Sequence, residues 1–189
     1  MKRLHQTVLI ASTVVASWLG MQAVHEAGHV LGAWLTGGEI KHVVLHPLTI
    51  SRTDLALNPH PLLVVWAGPT CGIVLPLMLW GILAALHMPG AFVFRFFAGF
   101  CLIANGAYIA VGSFDHVGDC GEMLRHGSVM WQLWLFGSLA IPAGFCLWHR
   151  LGTHFGLGSA NGEVNNRVAY VTMLAALMLV ALGFAIGGD

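Results

Sequence analysis

The chain has 189 residues, of which 57% are hydrophobic and only 8% charged, with a mean hydropathy of +0.79. Soluble domains carry about a quarter charged residues, so this composition excludes an ordinary soluble domain and indicates an integral membrane protein. Eight basic residues balance eight acidic ones, and no basic face points to nucleic acid.

Five apolar segments follow in chain order: Thr7 to Leu35, Leu62 to Leu86, Ala91 to Val111, Val129 to Trp148 and Val168 to Ile186. Each is long enough to cross a hydrocarbon core of about 30 Å as a helix. The first imitates a signal peptide, with Lys2 and Arg3 ahead of an apolar run. That run is already long for a signal sequence, so it reads as a retained span. The predicted fold is an all-α polytopic membrane protein of about five transmembrane helices, with a short membrane-associated β-hairpin after the first. It forms a single membrane domain over 1–189, with a core at about 7–127 and two additional helices at about 128–189.

The hairpin is expected between Gly37 and Pro61, where Ile40, Val43, Val44, Leu45, Leu48 and Ile50 make the connection too apolar and β-branched for an ordinary loop. Pro47 and the polar run Ser51 to Asp54 read as breaks in it. An exposed strand edge at that depth can receive an extended peptide by strand addition. Gly28 and Gly32 form one GxxxG pair, and Gly68 and Gly72 a second, each marking a place of close helix approach. Pro69 should kink or restart the second span. The four cysteines (Cys71, Cys101, Cys120, Cys146) are widely separated and contain no CxxC, so they read as small buried hydrophobes rather than disulfides. His154 and the stretch Gly156 to Asn166 read as a flexible connector.

His25-Glu26-Ala27-Gly28-His29 carries the chemistry. On a helix, two histidines four residues apart project from one face and can share a metal ion, with Glu26 beside them within reach of a water on that metal. Ionisable side chains at membrane depth cost a few kcal/mol each, so three clustered there imply a function that compensates. A catalytic zinc usually has three protein ligands, so another segment must supply one. Candidates are His42, His46, Asp54, Asp115, His116, Asp119 and Glu122. The densest group is Asp115, His116 and Asp119, just after the third span. Asn105, in mid-span, reads first as an interhelical hydrogen bond and second as a substrate-positioning group.

These motifs resemble the site-2 protease family of intramembrane zinc metalloproteases. The likeness is specific at His25 to His29. Ala67-Gly68-Pro69-Thr70-Cys71-Gly72 supports it, being similar to the family's GxxxN/S/G element, and it is weaker at Gly118-Asp119, where the family has Asp-Gly. It covers about Thr7 to Gly127. The resemblance implies a three-helix catalytic core and one Zn2+ per chain, held by His25, His29 and an aspartate, with Glu26 as base. It further implies a membrane protein or peptide substrate in the lipid bilayer, here expected to be a prokaryotic cytoplasmic membrane. Gly68 and Gly72 join Asn105 as substrate-positioning candidates. A zinc-binding membrane interaction protein without hydrolysis is the alternative, and Glu26 argues against it because zinc binding alone does not need that residue.

Asp119 is the expected third ligand. Asp119-Cys120-Gly121-Glu122 has the spacing of a capping box opening a short helix, a role compatible with binding a metal through the other carboxylate oxygen. Gly118 gives the backbone freedom to turn toward the metal helix, and an aspartate beside glycine matches the family better than Asp115 does. Orientation is contested: an inward N-terminus puts five Lys and Arg inside against three outside, a mild preference. The resemblance implies the reverse, which is the orientation expected here; side-specific labelling of Arg52→Cys decides between them.

Overall fold

The structure, a computed structural model, describes residues 2–186. Five helices are long and apolar enough to cross a membrane: α1 (Lys2–Leu35), α2 (Pro61–Ala85), α3 (Ala91–Asp115), α5 (Met130–Trp148) and α6 (Asn166–Ile186), with a short α4 (Gly118–Arg125) between α3 and α5. The protein is therefore an all-α polytopic membrane protein with one small antiparallel sheet. That sheet pairs β1 (Glu39–Val44) with β2 (Arg52–Leu57), setting His42 opposite Asp54 and Val43 opposite Thr53.

The fold departs from the sequence pattern in several places. The polar run Ser51 to Asp54 does not break the hairpin, because Arg52, Thr53 and Asp54 are the first half of β2. Alternating side chains on a strand let polar groups face the interior cleft while the ladder continues. α2 runs unbroken through Pro69 and Pro76, so neither restarts it; the freed carbonyls are tolerated where neighbouring helices pack closely. The stretch after Trp148 is folded rather than a loose connector: two 3-10 turns, Gly152–Phe155 and Gly158–Ala160, bury Phe155 beside Leu9, Leu151 and Ala169. The Gln6 amide Nε2 donates to the Phe155 carbonyl at 3.0 Å.

Close backbone approach sets the position of α1 against α2. A Cβ on Gly28 would lie 2.8 Å from the Cα of Gly68, and one on Gly32 would lie 2.8 Å from the Ala67 Cβ. Only small residues permit this separation, so the first GxxxG pair is the seam on which the two helices meet. α4 is anchored differently. Cys120 and Met123 are fully buried with Val65, Ile109 and Leu133, drawn from α2, α3 and α5. The Cys120 thiol also lies 3.3 Å from the Tyr108 carbonyl, and burial followed by the nearby Asp119 charge pushes its pKa up to about 11. All four cysteines are free; Cys101 and Cys120 are buried, whereas Cys146 is exposed rather than part of the interior.

Candidate metal centre

At 1.5 Å rise per residue, His25 sits roughly 35 Å along α1 from its start. Helical spacing turns both imidazoles to one face, and their Nε2 atoms stand 3.1 Å apart. The bend after α3 is made by His116 in a left-handed conformation and by Gly118 at φ +61°. It returns the chain so that the Asp119 carboxylate meets both rings. Oδ2 lies 2.8 Å from His25 Nε2 and 3.4 Å from His29 Nε2. One ligand atom from each residue falls within a common group able to hold a metal ion.

The far side of each ring decides what these atoms are. His29 Nδ1 is 2.9 Å from the Val64 carbonyl oxygen, which only accepts. His25 Nδ1 is 2.7 Å from Asn105 Oδ1. The Asn105 amide is itself oriented, since its Nδ2 donates to the Cys101 carbonyl at 2.9 Å. Both Nδ1 atoms therefore carry a proton, and as neutral ligands the rings would turn bare Nε2 lone pairs toward each other and toward a carboxylate. Three acceptors converging at about 3 Å repel unless a cation lies between them. A metal ion satisfies all three, and the donors behind the rings fix its ligands in place.

Burial alone would raise the pKa of Asp119. A proton on the Nε2 of His25 or His29, where no metal takes its place, outweighs it and holds the carboxyl well below the usual range. A metal cation in the place of that proton would likewise favour the ionised carboxylate, as a ligand requires. It is not a helix cap: Val117 occupies the cap position without a side-chain bond, and Asp119 stands within the first turn of α4. Its carboxylate faces the histidines instead of its own backbone.

Glu26 is 4% exposed, and its Oε2 accepts a 2.8 Å hydrogen bond from Thr53 Oγ1 on β2. His25, Glu26, His29 and Asp119 all line one open cavity of about 1230 Å³, together with Gln22, Asn105, Tyr108 and the β2 residues Arg52 to Leu55. The other ligand candidates lie outside the ligand group. Asp54 pairs with Arg52, and Glu122 pairs with Arg125 and His126. Asp115 and His116 are exposed at the end of α3.

Gly68 and Gly72 stand behind the site and do not line the cavity. A Cβ on Gly68 would run into the His29 imidazole, and one on Gly72 would lie 2.9 Å from Asn105 Nδ2. They make room for a ligand and for the ligand's support. Thr53, Tyr108 and the Val64 carbonyl had no signal in the sequence beyond the general expectation that a hairpin lies near the metal helix. No family model matches the chain, and neither does any curated protein or solved structure.

The choice between the two aspartates is open to direct test. Asp119→Ala should lose bound metal, whereas Asp115→Ala should keep it at wild-type stoichiometry, measured by elemental analysis of the purified protein. Retention of metal by Asp119→Ala would remove it from the ligand set.

Proposed function

We propose that the protein is an intramembrane zinc metalloprotease of the site-2 protease type, hydrolysing peptide bonds of membrane-embedded or membrane-adjacent substrates. The observation that carries the reading is the buried Glu26 carboxylate lining the same cavity as the three-ligand cluster. A site that only stored metal would not need a further carboxylate beside it, at a depth where an ionisable group is costly.

Zinc suits the donors. Two imidazole nitrogens and one carboxylate oxygen are a set that zinc accepts with bonds of about 2.0–2.1 Å, leaving a fourth position open. Tetrahedral ligands at that radius are separated by roughly 3.3 Å, close to the 2.8, 3.1 and 3.4 Å separations here. Held by His25, His29 and Asp119, a zinc ion would supply Lewis acidity and a water made nucleophilic near neutral pH. Glu26 takes the proton of the attacking water and returns it to the leaving amine nitrogen as the C–N bond breaks. Thr53 keeps the Glu26 carboxylate turned into the cavity by its single donated bond. A substrate helix must unwind to expose a peptide bond, because its carbonyls are already hydrogen-bonded. The β2 backbone beside the cavity offers the unwound segment new partners by strand addition.

Purified protein should carry about one zinc per chain, and His25→Ala or His29→Ala should strip it. Elemental analysis after dialysis checks this. Wild-type protein free of zinc, or histidine variants that keep a full complement, would set the reading aside.

A further inference from the structure

Tyr108 lies on α3, one turn beyond Asn105, and faces the same cavity as Glu26. Its ring packs edge-on against the His25 imidazole, with centroids 6.0 Å apart. Its hydroxyl oxygen accepts the backbone N–H of Asp119 at 3.1 Å. Gly118 makes this approach possible, since a Cβ there would collide with the Tyr108 hydroxyl. The phenol is thus tied to one ligand residue through its oxygen and packed edge-on against a second through its ring.

Its proton has no such tie. Among the described residues the hydroxyl makes no hydrogen bond besides the one it accepts. A rigidly held O–H donor without an acceptor, at the edge of a metal-ligand cluster, is available to whatever enters the cavity. Asn105 is the other neutral donor packed against the ligands, but its Nδ2 is turned away, donating one hydrogen to the Cys101 carbonyl and packing against Gly72. Glu26 accepts and does not donate.

We infer that Tyr108 is a catalytic residue whose hydroxyl donates a hydrogen bond to the substrate carbonyl oxygen, and that this bond strengthens as the oxygen becomes an oxyanion. The inference rests on the proteolytic reading above and adds the group that stabilises the charge formed in it. As water oxygen bonds to the carbonyl carbon, the C=O π pair moves onto the oxygen, and Tyr108 meets that charge without giving up its proton. When the C–N bond breaks, the pair returns and the leaving nitrogen takes its proton from Glu26. A donor already oriented before the reaction costs no reorganisation when the charge appears.

The test is Tyr108→Phe, which preserves the ring and removes only the hydroxyl. Four quantities are measured on the wild-type and variant proteins: bound zinc, kcat and KM on a cleavable transmembrane peptide, and calorimetric affinity for the matching phosphinic pseudopeptide. That pseudopeptide presents a tetrahedral centre with two oxygens. The variant should keep its zinc and its KM, while kcat and phosphinic affinity each fall about 10²–10³-fold. If the variant loses zinc, Tyr108 only positions Asp119 and the inference fails. It fails equally if kcat and phosphinic affinity are unchanged. A wild-type protein that neither cleaves the peptide nor binds the phosphinic analogue would instead defeat the proteolytic reading itself, and this inference with it.

Discussion

Glu26→Gln should retain a full complement of zinc and lose proteolysis, with kcat down by at least about 10²-fold. The amide has nearly the shape of the carboxylate and can still take the Thr53 hydroxyl as a donor, so the fold and cavity should survive. What it cannot do is accept a proton from water. Glu26 contributes no atom to the ligand group of His25, His29 and Asp119, so metal content is the internal control. Cleavage by Glu26→Gln at the wild-type rate would mean that the carboxylate is not the base. Loss of zinc would mean that it is a ligand.

Gly68→Ala should abolish metal binding although it alters no ligand. The added methyl group would occupy the position of the His29 imidazole. That ring has little freedom to withdraw, because Nδ1 is held by the Val64 carbonyl on the same helix as Gly68. The alternative, separating α1 from α2, would open the seam at Gly28, where the backbones already touch. Either way His29 Nε2 leaves the cluster. Gly81→Ala provides the control: it sits on the same helix with nothing within 4 Å of the new atom, and should keep zinc and expression unchanged. Equal zinc content in the two variants would show that His29 adjusts.

These two variants probe parts of the site that the sequence reveals unequally. His25, Glu26 and His29 are legible because helical periodicity is local: four residues are about one turn, and hydropathy alone establishes that the turn lies in a span. Asp119 is less so, since D-x-x-E spelled a capping box, and the fold resolved the competition by placing the cap one turn-start earlier, at Val117. Asn105 could be read as an interhelical hydrogen bond from its depth, but its partner, His25 Nδ1, was fixed only by how α3 crosses α1. Gly68 was legible as a small residue at an interface, not as the space occupied by His29.

Thr53 and Tyr108 were illegible for a different reason. A threonine in a polar run and a tyrosine near a helix end carry no periodic signature. Their positions depend on β2 lying under the end of α1 and on α4 folding back beneath α3. The Val64 carbonyl is harder still to foresee, because every residue has one. Binary patterning locates spans and strands, while the partners of buried polar groups follow from tertiary crossing geometry.

The most direct measurement is incubation of the purified, zinc-loaded protein with a panel of single-span membrane peptides in proteoliposomes, with new termini identified by mass spectrometry. The expected result is a discrete cut within or at the edge of an apolar segment, lost on chelation and restored by zinc. Protein that holds one zinc per chain yet generates no new terminus from any of the peptides would contradict it.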